Sequence, residues 1–146
     1  MEIEHEIMKT VLRLASGGRR RLHEQVNPGL PKIRGYGRIL DLLSQNDGMS
    51  QQQIAQQLDI RPQSVSEAIT SMESQALVEK QINAADKRSC LIYITPVGRQ
   101  RQIDLQQARI SNARKLLEPL TGQEKQTLLA LLGKAAATLQ ENKEEC

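Results

Sequence analysis

Residues 50–72 read Ser-Gln-Gln-Gln-Ile-Ala-Gln-Gln-Leu-Asp-Ile-Arg-Pro-Gln-Ser-Val-Ser-Glu-Ala-Ile-Thr-Ser-Met, and they contain two helix starts in quick succession. Ser50 and Gln53 make the S-x-x-Q capping box, in which each side chain accepts the other residue's backbone N–H. The helix they open turns Ile54, Ala55 and Leu58 inward. Asp59-Ile60-Arg61 is a tight turn, and Pro62 suits the first position of a second helix, where its missing N–H has no consequence. In that second helix Val65, Ile69, Met72 and Ala76 recur at steps of 4, 3 and 4, a narrow apolar stripe. Two helices joined by so short a turn predict a helix-turn-helix.

Downstream the periodicity changes. Val78, Ile82, Cys90, Ile92 and Ile94 stand at two- or four-residue spacing, which predicts strands over 78–83 and 89–95. Ala84-Ala85-Asp86-Lys87-Arg88 between them is a polar hairpin tip, with Cys90 expected inward as a small apolar residue. A helix-turn-helix followed by a β-hairpin is a winged helix-turn-helix, so the expected fold is mainly α with a small hairpin wing.

Upstream, Tyr36 to Ser44 carries Ile39, Leu40, Leu42 and Leu43 and ends at Asn46-Asp47-Gly48. Before it, Ile3, Ile7, Val11 and Leu14 mark one face of a helix over about 2–15. Gly17-Gly18, Asn27-Pro28-Gly29 and Pro31 then predict a partly looped stretch to Lys32. Thr95-Pro96 opens a long helix to about Glu118, with Ile103, Ile110 and Leu117 seven apart. Ala113 and Leu120 occupy its second heptad position, with Gln106 in the weak slot. Thr121-Gly-Gln-Glu124 is a further capping box, and the helix after it bears Leu128, Leu132, Ala135 and Leu139 on one face.

Composition narrows the functional classes. The 146 residues include 19 Leu, 12 Ile and 5 Val but two Tyr, no Phe and no Trp, so the core must be aliphatic. No apolar run approaches the ~18 residues of a membrane-spanning helix, and no leader pattern opens the chain. Cys90 and Cys146 make no disulfide framework. A reduced, cytoplasmic protein that takes no part in a membrane is expected. No Gly-rich phosphate loop, carboxylate pair or nucleophile elbow is present, so neither enzyme activity nor a cofactor is expected. His5 among Glu2, Glu4 and Glu6 lacks a second His at helical spacing, which argues against a metal site.

The net charge of +3 is distributed unevenly. Residues 1–50 carry 8 basic and 6 acidic side chains, 51–98 carry 4 and 5, and 99–146 carry 8 and 6. At 100° per residue, with Val65 inward, Gln63, Glu67, Thr70 and Ser74 face outward, flanked by Ser66 and Ser71. Gln, Glu, Ser and Thr are side chains that read base edges in the major groove. Phosphates would be met by serines, Ser64 and Ser66 nearest the helix start, by backbone N–H groups there, and by basic residues elsewhere. The four bases of 51–98 are Arg61 at the turn, Lys80 on a strand, and Lys87 and Arg88 at the wing tip, each where a duplex could be touched.

Residues 35–100 resemble the multiple-antibiotic-resistance regulator (MarR) family of bacterial transcription factors. The matching stretches are Gly35-Tyr-Gly-Arg-Ile-Leu40, Met49-Ser-Gln-Gln-Gln-Ile-Ala55, Arg61-Pro-Gln-Ser64, Ala85-Asp-Lys-Arg-Ser89 and Leu91 to Thr95 followed by Pro-Val-Gly98. The Asp-x-Arg of the wing is the most specific of them. The resemblance implies one MarR-like domain over 1–146, with a winged lobe at 35–96 and dimerisation helices at 1–34 and 97–146. It implies a homodimer on double-stranded DNA, with the recognition helix in the major groove and Arg88 reaching the minor groove. Asp86 would orient Arg88 through a salt bridge. The expected function is a repressor binding an inverted-repeat operator. Many family members release DNA on binding small acidic or aromatic effectors. Here such a pocket could draw on His23 and Tyr36, with Arg19-Arg20-Arg21 nearby. The absence of Cys from 1–40 argues against the peroxide sensing through a first-helix Cys that one branch of the family uses. The rival expectation, prompted by the −1 of residues 51–98, is a winged-helix module for protein–protein contact.

Overall fold

The computed structural model describes residues 2–26 and 36–144. The elements in chain order are α1 (Ile3–Val26), α2 (Tyr36–Gln45), β1 (Met49–Ser50), α3 (Gln51–Leu58) and α4 (Pro62–Ser74). They continue with β2 (Val78–Ile82), β3 (Cys90–Ile94), α5 (Pro96–Leu116) and α6 (Gly122–Glu144). Residues 1–109 and 110–146 form two compact units, and the winged helix-turn-helix lies wholly in the first. The fold class is as expected.

Local chemistry sets the helix ends. At α3 the Gln53 N–H donates to Ser50 Oγ (3.1 Å) and the Ser50 N–H donates to Gln53 Oε1 (3.0 Å), the reciprocal box read from the sequence. Thr121 and Glu124 repeat it at the start of α6, at 3.2 and 2.9 Å. Asp59 closes α3 in the left-handed region at φ 51°, and the Arg38 guanidinium donates to the Leu58 carbonyl at 2.7 Å. Pro62 occupies the beginning of α4.

The core gathers Ile39, Leu40 and Leu43 of α2, Ile54 and Ala55 of α3, and Val65, Ala68, Ile69 and Met72 of α4. Leu77, Val78, Ile92 and Ile94 complete it from the sheet side, with Met49 and Tyr36 at its margins. The sheet has the order β1-β3-β2, both pairings antiparallel, with Val78 opposite Ile94 and Ile82 opposite Cys90. β1 is a third strand that the sequence did not announce. Two residues, Met49 opposite Ile92 and Ser50 opposite Leu91, are too few to carry an alternating pattern.

Several expectations are corrected. α1 does not stop near Ala15 but runs through Gly17 and Gly18 to Val26. Each helical glycine costs only about 1 kcal/mol relative to Ala, and the Arg-Arg-Arg-Leu stretch behind them restores good helix formers. Cys90 is exposed, because it pairs with Ile82 at the wing end of the ladder, beyond the reach of the core, where Ile82 is itself 73% exposed. Ala76 leaves the α4 stripe: it takes φ 60° past the helix end and is exposed, and Leu77 fills the core in its place.

Candidate nucleic-acid interface

α4 is held by one face. Val65, Ala68, Ile69 and Met72 are buried, and the opposite ridge of Gln63, Ser66, Glu67, Thr70 and Ser74 is exposed. Ser64 and Ser71 lie half-buried at its edges. Ser66, Glu67, Thr70, Ser71 and Ser74 line a shallow, open concavity along the helix. Two hydroxyls on this ridge are committed to the helix itself: Thr70 Oγ1 donates to the Ser66 carbonyl (2.9 Å) and Ser74 Oγ to the Ser71 carbonyl (2.6 Å). Arg61 is the cap residue of α4, and no side chain caps that start, in contrast with α3. Helix N-termini left in this way present N–H groups to anions.

The wing is organised by side chains accepting backbone N–H groups. Asn83 N–H donates to the Ser89 carbonyl (3.0 Å), and Asn83 Oδ1 accepts the Ala85 N–H (3.0 Å). Asp86 Oδ1 accepts the Arg88 N–H (3.0 Å), and the Asp86 carbonyl accepts the Ser89 N–H (3.1 Å). The expected Asp86–Arg88 salt bridge is therefore replaced by a different bond. The carboxylate reaches the Arg88 backbone, closing an Asx-type turn, and among the described residues no ion pair joins the two side chains. The Arg88 and Lys87 side chains project from the tip, exposed and without an ion pair among the described residues, and Arg61 is likewise exposed. Lys80 differs from them, because its Nζ lies 4.0 Å from Glu73 Oε1 at the end of α4.

The residues that seat the wing were not singled out in the sequence. β1 ends at Met49, so the Ile94 N–H on that edge of β3 finds no strand partner. Asp47 supplies one: its Oδ1 accepts the Ile94 N–H at 2.9 Å, and its Oδ2 takes the Arg99 guanidinium of α5 at 3.2 Å. Gly48, at φ +73°, brings the chain against the Tyr93 ring, where a Cβ would stand 2.9 Å from a ring carbon. Thr95 Oγ1 donates to the Ala76 carbonyl (2.6 Å) and accepts the Gly98 N–H (2.9 Å), capping α5 while tying it to the end of α4. The sequence did flag Asn46-Asp47-Gly48 and Thr95-Pro96 as breaks, but their partners lie 47 residues away for Asp47 and 19 for Thr95.

The two residues offered for an effector pocket lie elsewhere. Tyr36 is a core residue whose hydroxyl accepts Arg101 at 2.9 Å. Burial pushes that hydroxyl's pKa up, against the opposing pull of Arg101. On the same helix Asp41 accepts Arg109 (2.7 Å) and Gln102 (3.1 Å), fastening α2 to α5. His23 sits half-buried on α1 and is engaged in a contact of its own. Cys146 lies outside the described residues. No group of three or more His, Cys, Asp or Glu able to hold a metal ion occurs among the described residues.

A capped helix, a three-residue turn, a ridge-bearing second helix and a stapled hairpin define a winged helix-turn-helix protein. Residues 29–89, the stretch that holds most of this lobe, match the model of the MarR family. The chain is 28% identical over 109 residues to a putative transcriptional regulatory protein for the hcr operon of Thauera aromatica. That alignment covers 75% of this chain and 62% of the Thauera protein, so the chain spans under two thirds of that relative's length. A MarR-family transcriptional regulator from Silicibacter pomeroyi is 25% identical, with TM-score 0.66, covering 94% of this chain and 92% of that one. A mutant MarR from E. coli, crystallised with operator DNA, has the same fold at TM-score 0.71 and 21% identity, covering 92% and 99% of the two chains. No helix of the described residues is long and apolar enough to cross a membrane.

Proposed function

We propose that this chain is a sequence-specific DNA-binding transcriptional regulator, a cytoplasmic repressor that binds an inverted-repeat operator as a homodimer. One observation carries the reading: the lobe combines a solvent-facing polar ridge on α4 with exposed bases, Arg61 at the start of that helix and Lys87 and Arg88 at the wing tip. In this reading α4 enters the major groove, with Gln63, Glu67 and Thr70 at base edges and Ser64 and Ser66 toward phosphates. Arg88 enters the minor groove, Lys87 and Arg61 meet backbone phosphates, and Asp86 holds the turn that aims Arg88. Lys80 is the weakest contributor, since Glu73 competes for it. That a protein of the same fold, the mutant E. coli MarR, was crystallised with operator DNA supports a DNA-binding role.

The dimer follows from apolar surface. Ile3 and Leu12 of α1 and Leu129 and Leu139 of α6 are 60–74% exposed, large apolar side chains of the kind that mark interaction surfaces when they cluster. Pairing of residues 1–34 and 97–146 across a two-fold axis would bury them and set two α4 helices about one DNA turn apart. A small acidic effector near His23 and Tyr36 would compete for Arg101, which now serves the Tyr36 hydroxyl.

Gel-shift titration against the DNA upstream of the protein's own gene tests the reading. Saturable binding that weakens steeply with salt is expected, and Arg88→Ala should weaken it while sedimentation still reports a dimer. Equal affinity for random DNA at physiological salt would return the lobe to a protein–protein role.

A further inference from the structure

The ridge of α4 carries more than polarity. Glu67 and Thr70 stand one step apart on the same face, i and i+3, at its middle. Glu67 is an exposed carboxylate with no hydrogen bond or ion pair among the described residues, so it can only accept. Thr70 has a donor, but its hydroxyl proton is directed at the Ser66 carbonyl at 2.9 Å, so toward solvent this oxygen also only accepts. No Lys or Arg occurs anywhere in α4 to offset the pair. The centre of the ridge is thus an acceptor patch carrying one negative charge.

We infer that this patch selects a cytosine amino group, making Glu67 the residue that sets base choice at one position of each half-site, with Thr70 assisting. The inference rests on α4 lying in the major groove, as proposed above. A carboxylate cannot sit against phosphates, so in that groove it must point at base edges. Guanine presents N7 and O6, both acceptors, and repels it. Adenine offers its N6 amino group beside the N7 acceptor, which repels the second carboxylate oxygen. Cytosine offers N4 with no acceptor on its own major-groove edge. Thymine offers no donor at all, only O4 and a methyl group. Gln63, at the start of the helix, keeps both donor and acceptor and stays free to pair with adenine.

The test is selection from a random duplex library with the full chain, in the wild type, Glu67→Gln, Thr70→Val and Thr70→Ser, followed by titration of the selected duplexes. The wild type is expected to enrich a half-site with an invariant cytosine. Changing that base should weaken binding about 5- to 150-fold, the range for one lost base contact. Glu67→Gln should relax the cytosine preference at that pair alone, leaving the preferences at the other positions unchanged. Thr70→Val, which keeps the methyl and loses the acceptor, should erode the same or the adjacent position, and Thr70→Ser should restore it. Both sites are exposed, so matching thermal midpoints exclude misfolding as the cause.

A wild-type site that Glu67→Gln leaves unchanged at every position overturns the inference while leaving DNA recognition intact. So does a Glu67→Gln that tightens all duplexes equally, since the carboxylate would then be only a repulsive charge. A wild type that enriches no sequence overturns the inference together with the DNA-binding reading beneath it.

Discussion

Replacing Asp47 tests how the wing is attached to the helix-turn-helix. Its carboxylate does the work of a missing strand carbonyl for the Ile94 N–H at 2.9 Å, and it pairs with Arg99 at 3.2 Å. In Asp47→Ala, the N–H of Ile94, a residue only 6% exposed, loses its acceptor. A buried donor left unsatisfied costs about 1–3 kcal/mol. The Arg99 pair adds only about 0.2–1 kcal/mol, because its two side chains are 50% and 32% exposed and solvent screens it. The Gly48 N–H also touches this carboxylate, but it keeps the Ile92 carbonyl at 3.1 Å and adds little. The expected total is about 2–3 kcal/mol. Asp47→Asn retains an acceptor for Ile94 and loses only the charge, so it should cost less than about 1 kcal/mol.

Urea unfolding at one fixed protein concentration measures both. With a slope of about 1–3 kcal/mol/M, Asp47→Ala should lower the midpoint by roughly 1 M and Asp47→Asn by a few tenths. Amide exchange should show Ile94 losing protection in Asp47→Ala alone. Equal losses in the two variants would assign the effect to the ion pair, and a loss under about 0.5 kcal/mol in Asp47→Ala would mean that Asp47 does not hold β3; either refutes this account of the wing.

Three further outcomes are expected. Ala76 holds φ 60°, a conformation that strains an L-residue by roughly 1–2 kcal/mol, so Ala76→Gly should stabilise the protein by about 0.5–1 kcal/mol after glycine's greater unfolded-state freedom is deducted; a lowered thermal midpoint would contradict this. Gly98 admits no side chain, because a Cβ would collide with the Leu77 backbone carbonyl, so Gly98→Ala should destabilise by about 3 kcal/mol or more in urea titration. Tyr36 has its pKa raised above the ordinary 10.0, so its contribution is full below pH 10 and lost as pH rises through the folded value; Tyr36→Phe should remove that alkaline decline from the stability profile while costing about 0.5–1.5 kcal/mol at neutral pH through the lost Arg101 bond.

Local chemistry was legible in this chain wherever cause and effect lie within a few residues. Ser50 with Gln53, Thr121 with Glu124, and Pro62 at the start of α4 act on their own backbone, and each ends or begins a helix where its spacing says it should. The face of α4 was legible for the same reason, since 100° per residue separates Val65 from Glu67 and Thr70 whatever surrounds the helix. Glycine misled at Gly17-Gly18, where a modest propensity penalty was read as a break. Cys90 misled because alternation gives the side of a strand and not how far the core extends along it.

By itself, then, the sequence determined the helix boundaries at its capping boxes, the helix-turn-helix, the hairpin and the polar ridge, all products of short-range hydrogen bonding and periodicity. Tertiary structure alone decided how the wing is seated. Asp47 meets Ile94 and Arg99, and Thr95 meets Ala76, across spans of 19 to 52 residues that no local pattern encodes. It also decided that Asp86 serves the Arg88 backbone and not its guanidinium, and that the Thr70 proton turns back into the helix. Where a hydrogen-bonding group spends its donor depends on which acceptor the folded chain brings within 3 Å, and that proximity is a property of packing, not of order along the chain.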